Sequence, residues 1–277
     1  KTIFLAYPAN SEFAEQYVFS AFIPETRWTP WLTGFFIQNG KIGLKFGVSS
    51  TEEDFREADN KTKLKELWLK FYTIKTLVDS DQMTFAGILP GIMYKKGIID
   101  DSPIELENTV KAVSKSIYEL INLEGLDFDT PVIVLGGKGF VGDKIVNNFN
   151  DREVFCVDRK YANSPAMDYL LSNLKKKVIL LNIATRKALE ENIIHLNEKV
   201  IVLNEVYPEP NDVTIQKIHK QGSSIYHIVG IRGVAFPDFP RAYKGAIPCC
   251  ASWNSEDIEV QLLKIKPKKD NEFSRLD

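Results

Sequence analysis

The chain has 277 residues, 44% of them hydrophobic and 26% charged, with a formal net charge of -2 and a pI near 6.1. This is the composition of a globular protein long enough for two domains, each with its own core. The near-neutral charge gives no electrostatic reason to expect nucleic acid as a partner. No apolar run is long enough to cross a bilayer, so we expect no membrane partner either.

The three cysteines indicate a reducing environment. Cys156 lies inside an apolar run, and Cys249 and Cys250 are adjacent, where a disulfide would be strained. No C-x-x-C pair or Cys/His cluster has the spacing of a metal site, so we predict no metal. We therefore expect a cytoplasmic protein.

The first part of the chain predicts an α/β domain over residues 1–105. A strand over 1–7 opens it, and Asn39-Gly40 between two apolar runs is typical of a β-hairpin. Apolar residues at three- and four-residue steps predict one long helix over 51–79. Residues 83–93 then predict a strand that is broken at Leu89-Pro90-Gly91.

A connecting helix follows this domain. Ser102 is suited to its N-cap and Pro103 to its first position. Its apolar residues recur on one face and end near Gly125. We assign residues 106–253 to this helix and a second domain, with the helix as the connector.

The most informative stretch opens the second domain. A β-branched apolar run, 132–135, precedes Gly137, Gly139 and Gly142, which form a G-x-G-x-x-G. A helical pattern and a second apolar run follow, and that run ends in Asp158. Strand, glycines, helix, strand and acid thus occur in order within the length of one βαβ unit. The alternative is a glycine-rich turn that binds nothing.

Each part of this pattern suits a dinucleotide. Gly137 permits a tight turn, Gly139 lets backbone approach a pyrophosphate, and Gly142 lets helix and strand pack closely. Asp158 can accept hydrogen bonds from an adenosine ribose. We predict NAD as cofactor, while Arg159 beside the acid leaves NADP open. The intervening loop residues complete the predicted cofactor site: Lys138, Phe140 and Val141.

Helical and strand patterns alternate after Asp158, which predicts a Rossmann-type parallel sheet with right-handed crossovers. Ligands of such sheets lie beyond the carboxyl ends of the strands. That rule adds Ala184, Thr185 and Gly230, which follow later strands, to the predicted cofactor site. Residues 254–277 predict a final amphipathic helix that packs back on the first domain, and then a tail.

Candidates for proton transfer lie in the first domain. Lys95 and Lys96 stand close to Asp100 after the predicted strand. A lysine there could bind a substrate carboxylate or act as acid or base. The alternative is a polar turn in solvent.

The order of domains and the motif within 132–158 resemble the shikimate dehydrogenase-like, or amino-acid-dehydrogenase-like, architecture. The resemblance implies an N-terminal α/β domain, smaller than the C-terminal Rossmann domain, that holds the substrate. It places the dinucleotide on the three glycines and Asp158. The segment 85–96 resembles the proline-then-lysine segment of shikimate dehydrogenases, which implies a catalytic role for Lys95 or Lys96. The chain lacks the N-V-T-x-P-x-K of that family.

Together these features predict an NAD(P)-dependent dehydrogenase or reductase that acts on a small polar metabolite in an interdomain cleft. A homodimer is left open. Two alternatives remain. One is a non-catalytic dinucleotide-binding sensor or accessory protein, and the other is a non-redox lyase or cyclodeaminase with tightly bound NAD.

Overall fold

The computed structural model describes residues 1–17, 20–159, 164–240, 243, 245–253 and 257–267. The chain forms two compact units. One comprises Lys1–Thr109 and Gly230–Glu259, and the other comprises Val110–Val229 and Val260–Asp277. Residues 230–253, which the sequence assigned to the second domain, thus group with the first unit. The two units are nearly equal in size, and the N-terminal one is not the smaller.

The helices of the described residues are α1 (Ser11–Tyr17), α2 (Ile23–Thr26), α3 (Glu52–Arg56), α4 (Lys61–Leu77), α5 (Leu89–Lys95), α6 (Ile104–Glu124), α7 (Gly142–Asn148), α8 (Met167–Asn173), α9 (Arg186–Asn192) and α10 (Asp212–Lys220). The strands are β1 (Thr2–Ala6), β2 (Trp31–Gln38), β3 (Lys41–Gly47), β4 (Gln82–Phe85), β5 (Val132–Leu135), β6 (Val154–Val157), β7 (Val178–Asn182), β8 (Val200–Asn204), β9 (Ser224–Arg232), β10 (Val234–Phe236), β11 (Ala246–Ile247) and β12 (Val260–Ile265).

The first unit is built on a five-stranded mixed sheet in the order β10-β2-β3-β1-β4. The predicted hairpin is confirmed as β2 and β3, which pair antiparallel from Trp31 to Gly47. Asn39 and Gly40 form its turn with φ of 48° and 73°, which these two residue types tolerate best. Leu64, Leu67 and Phe71 of α4 pack on β1 and β3 in a fully buried core.

Two elements of the first unit differ from the prediction. The helix expected over 51–79 is interrupted between α3 and α4, where the buried side chain of Asn60 donates to the carbonyl oxygen of Asp54. The strand expected over 83–93 ends at Phe85, and α5 begins at Leu89 with Pro90 in its first turn. Proline is accepted there because the first N–H groups of a helix have no partner within it. Pro90 therefore lies at the start of a helix and does not interrupt a strand.

The second unit contains the predicted parallel sheet. Its parallel strands stand in the order β6-β5-β7-β8-β9, so the chain moves to one side of β5 and then returns to the other. This is a doubly wound arrangement of Rossmann type. The strands are buried on both sides by two apolar clusters, one around Leu180 and Leu189 and the other around Ile117 and Leu181.

The predicted C-terminal helix is wrong. Residues 260–265 form β12, which pairs with β9. In the sequence VQLLKI the apolar residues fit a helical face and a strand about equally well. Pairing with the backbone of β9 favours the strand. The start expected for that helix and most of the expected tail lie at 254–256 and 268–277, outside the described residues.

A buried carboxyl group makes the stability of the first unit depend on pH. Glu105, which is 5% exposed, accepts a hydrogen bond from the N–H of Phe85 in the edge strand β4 (2.7 Å). Burial raises the pKa of Glu105 from 4.5 to about 7. Because the folded chain holds this proton to a higher pH than the unfolded chain, the free energy of unfolding falls as the pH rises from 4.5 to about 7.

We expect Glu105→Gln to remove this pH dependence, since glutamine keeps the acceptor for Phe85 and carries no charge. Above pH 7 the variant should have a free energy of unfolding about 1–3 kcal/mol higher than wild type, and near pH 4 the two should be similar. Urea denaturation at a series of pH values measures this difference. Equal pH slopes in both proteins would contradict the assignment.

Candidate functional site

The glycine-rich loop after β5 is a tight turn closed by its own backbone. The N–H of Gly139 donates to the carbonyl oxygen of Gly136 (2.9 Å), and the N–H of Gly136 donates to Val157 of the next strand (2.8 Å). Gly136 has a φ of +93°, which side-chain-bearing residues rarely adopt. The tight turn thus depends on Gly136 and not on Gly137, to which the sequence assigned it.

The other glycines are required by close neighbours. A Cβ added to Gly142 would lie 2.2 Å from the carbonyl oxygen of Gly136, so α7 packs directly on the turn. A Cβ on Gly137 would lie 2.6 Å from Sγ of Cys156 in β6. Around Gly139, within the described residues, the carbonyl oxygen of Gly136 at 3.1 Å is the only heavy atom near an added Cβ. Gly139 is therefore the glycine with space beside it.

Asp158 lies directly against the glycine-rich loop. Its Oδ2 accepts a hydrogen bond from the N–H of Lys138 (3.0 Å), so the acid at the end of β6 and the loop after β5 meet at one edge. The ammonium of Lys138 contacts Asp143 of α7 (3.0 Å). Arg159 is exposed beside the acid. The fold thus brings together the residues predicted for pyrophosphate and ribose.

The loop after β7 adjoins the glycine-rich loop. A Cβ added to Gly136 would lie 2.8 Å from Cβ of Ala184. Since β5 and β7 are the strands between which the chain order reverses, this contact lies at the switch point of the sheet, where doubly wound domains bind ligands. Thr185 is occupied as the N-cap of α9, where its hydroxyl accepts from the N–H of Ala188 (3.0 Å).

A buried polar chain runs across the carboxyl ends of β7, β8 and β9. The N–H of Ala184 donates to Oδ1 of Asn182 (3.3 Å), and Nδ2 of Asn182 donates to Oδ1 of Asn204 (2.8 Å). Nδ2 of Asn204 is therefore left to donate to the carbonyl oxygen of Val206 and to Nδ1 of His227 (3.1 Å). Burial lowers the pKa of His227, so its ring is neutral. Because Nδ1 accepts the hydrogen bond from Asn204, the proton of the ring is on Nε2.

This row of buried hydrogen bonds was not predicted from the sequence. Nε2 of His227, at the end of this row of hydrogen bonds, is buried and has no partner within the described residues. The signal in the sequence is that Asn182 and Asn204 each follow directly on an apolar run, and the sheet aligns them with His227 at one register position. Glu205 comes next after β8, and burial raises its pKa to about 7. A carboxyl group of this kind can exchange a proton near neutral pH.

Of the residues predicted for catalysis, neither lysine forms an ion pair with Asp100 within the described part of the chain. Lys95 and Asp100 are exposed, in the last turn of α5 and in the loop after it. Lys96 holds the loop before α4 together: its Nζ donates to the carbonyl oxygens of Glu57 (2.8 Å) and Ala58 (3.1 Å) and to the side chain of Asn60 (2.7 Å). These three bonds use every N–H of the ammonium.

Gly230, the remaining residue of the predicted cofactor site, belongs to the first unit. A Cβ on it would lie 2.2 Å from the carbonyl oxygen of Ile247 in β11, and its φ is +137°. Pairing with β11 is therefore enough to require glycine at this position.

The described residues contain no group of three or more His, Cys, Asp or Glu side chains placed to hold a metal ion. Among those residues, too, no helix combines the length and apolar character needed to span a membrane. Within the described residues, Cys156, Cys249 and Cys250 form no disulfide.

No protein-family profile and no curated protein sequence matches the chain. Among solved structures, it is similar to a shikimate dehydrogenase in complex with NADP+, with 13% identity over 82% of this chain and 84% of that chain and a TM-score of 0.43. A shikimate dehydrogenase from Aquifex aeolicus is similar at 9% identity over 81% and 85%, with a TM-score of 0.43. An L-tryptophan dehydrogenase from Nostoc punctiforme is similar at 13% identity over 81% and 67%, with a TM-score of 0.39. Because these identities and scores are low, we base the function on the geometry of the site itself.

Proposed function

We propose that this protein is an NAD(P)-dependent oxidoreductase, a dehydrogenase or reductase that acts on a small polar metabolite. One observation carries the proposal: the carboxylate of Asp158 accepts a hydrogen bond from the N–H of Lys138 in the glycine-rich loop. That loop follows β5, which borders the switch point of a doubly wound sheet. The predicted position of the substrate in an interdomain cleft stays a prediction.

The residues present fit a dinucleotide. Gly139, with space beside it, would let the pyrophosphate approach the backbone of Phe140 and Val141. Asp158 would accept hydrogen bonds from the adenosine ribose, and Ala184 would border the bound cofactor on the other side of the switch point. When bound, the nicotinamide supplies or accepts a hydride.

Asp158 favours NAD, because a carboxylate repels the 2′-phosphate of NADP and pairs with a free 2′-hydroxyl. Arg159 is exposed next to it and could pair with a phosphate, so NADP remains the alternative cofactor.

The experiment that tests the proposal is calorimetric titration of the purified chain with NAD(H) and NADP(H) side by side. Binding of one pair would support the dinucleotide site and justify a substrate screen with that cofactor. If neither pair bound, the glycine-rich loop would be structural and the oxidoreductase proposal would fail with it.

For proton transfer we propose Lys95 and not Lys96, because the ammonium of Lys96 is fully used within the fold. Once a substrate is known, Lys95→Met should lower turnover by roughly 100-fold or more and leave cofactor affinity unchanged. Lys96→Met should instead lower the free energy of unfolding by about 1–3 kcal/mol, because three oxygens lose their donor. Steady-state kinetics and urea denaturation separate the two effects. Full turnover in Lys95→Met would refute its catalytic role.

The exposure of these residues favours a second candidate, a non-catalytic dinucleotide-binding protein. Lys95 and Asp100 are both exposed, and neither forms an ion pair within the described part of the chain. A chain that binds the dinucleotide tightly and oxidises or reduces nothing in the substrate screen would fit this candidate. A lyase or cyclodeaminase with retained NAD would turn over substrate without net change of the cofactor.

A further inference from the structure

One face of the first sheet is apolar at every position across three strands. On β2 and β3 the antiparallel register aligns Phe35 with Leu44 and Ile37 with Ile42. β10 extends both rows, since Phe236 pairs with Phe35 and Val234 with Ile37. Beyond the bulge in β2, Leu32 pairs with Phe46 and continues the same face. Its eight members are Leu32, Phe35, Ile37, Ile42, Leu44, Phe46, Val234 and Phe236, which we call the β2–β3–β10 face.

The helices of the first unit cover only part of this face. Phe46 is 6% exposed and Leu44 packs partly against the core around α4. The members farther from α4 are in solvent: Phe35 is 41% exposed, Ile42 56%, Leu32 57%, Val234 62% and Phe236 68%. An antiparallel sheet commonly has one apolar face on the core and one polar face in solvent. Here the part of the apolar face that extends beyond the core is itself in solvent, which indicates that a partner covers it.

The structure of this unit holds the exposed side chains in a fixed array. The rings of Phe35 and Phe236 lie 6.0 Å apart. β10 approaches β2 so closely that a Cβ on Gly34 would lie 2.1 Å from the carbonyl oxygen of Phe236. Glycine at 34 therefore permits the pairing that adds Val234 and Phe236 to the face.

We propose that the β2–β3–β10 face is a homodimer interface, in which two copies of this chain pack these faces against each other about a twofold axis. Two sheets packed in this way lie about 10 Å apart and interlock their side chains. None of the eight residues is charged, so the face meets its own copy without like-charge repulsion. A twofold interface requires such self-compatibility.

The size of the face also fits a second copy. Large apolar side chains bury roughly 150–250 Å² each, so the five exposed members offer on the order of 500 Å². Two copies would remove about 1,000 Å² from water, which is the lower bound for a specific interface. The area of about 500 Å² on one copy lies in the upper half of the range, about 300–600 Å², of the largest apolar patch on a typical monomer.

Sedimentation velocity on the full chain tests the proposal. We expect wild type to sediment as a dimer, at twice the 31.5 kDa of one chain. The double substitution Val234→Thr with Phe236→Thr should raise the dissociation constant by roughly 100-fold or more, since threonine keeps the preference for a strand and removes the apolar contact. Phe35→Asp should have the same effect. Ile194→Thr is the matched control, because Ile194 is 74% exposed on the second unit and lies outside the face.

Three results would overturn the proposal: a monomeric wild type, a dimer that survives the substitutions on the face, or equal dissociation in Ile194→Thr. Circular dichroism must show that each variant keeps its fold. If those on β2 and β10 do not, Ile42→Thr on β3 makes the same test at the other side of the face. The experiment needs no cofactor, so its outcome is independent of the proposed activity.

Discussion

Replacing Asp158 with alanine should weaken NADH binding by about 10- to 100-fold. A hydrogen bond from a hydroxyl to a carboxylate contributes about 1.5–3 kcal/mol, and each 1.4 kcal/mol is about a tenfold change in affinity. NADPH should lose less affinity, or gain some, because the carboxylate no longer repels the 2′-phosphate. Calorimetry with both cofactors on wild type and variant gives the two ratios.

A second variant separates recognition of the ribose from support of the loop. Asp158 also accepts the N–H of Lys138, so alanine removes a contact within the protein as well. Asp158→Asn keeps one acceptor oxygen for that N–H, but removes the charge and replaces the second acceptor oxygen with an NH2 donor. If asparagine restores NADH affinity fully, the carboxylate acts mainly by holding the loop. If NADH binds Asp158→Ala and wild type equally, the assignment of Asp158 to the ribose is wrong.

Replacing Gly142 with alanine should damage both stability and cofactor binding. The added Cβ would lie 2.2 Å from the carbonyl oxygen of Gly136 and 2.9 Å from Cα of Gly137, and both are backbone atoms that cannot rotate away. In an open helix alanine would be favoured over glycine by about 1 kcal/mol. Relief of this clash must move α7 or the turn, at about 1–3 kcal/mol or more, so the net effect is destabilising. We also expect at least a tenfold loss of dinucleotide affinity, about 1.4 kcal/mol.

Gly139→Ala is the matched control for this prediction. Its added Cβ meets one backbone oxygen at 3.1 Å, a milder contact than those at Gly142, so the free energy of unfolding should fall less than in Gly142→Ala while the space proposed for the pyrophosphate is filled. Urea denaturation followed by calorimetry distinguishes the two variants. If Gly142→Ala is as stable as wild type, the close contact of α7 with the turn is not required. If Gly139→Ala binds the dinucleotide normally, the pyrophosphate does not approach at that position.

Local chemistry determined much of this protein from sequence alone. Asn39 and Gly40 suit the positive φ angles of a two-residue turn, and the hairpin followed from them. The β-branched run before Gly136 and the acid at Asp158 marked one βαβ unit, and the later alternation of helix and strand predicted the parallel sheet. These features depend on residues close together in the chain, so their spacing could be read directly.

Tertiary structure decided what depends on distant residues. Residues 260–265 became a strand because β9 offered a free edge, and residues 234–236 joined β2, almost 200 positions earlier in the chain. The three N–H bonds of Lys96 and the burial of Glu105 likewise come from contacts between separate elements. A side chain's exposure and partners are set by whatever the fold packs against it, and the spacing of residues along the chain does not specify that packing.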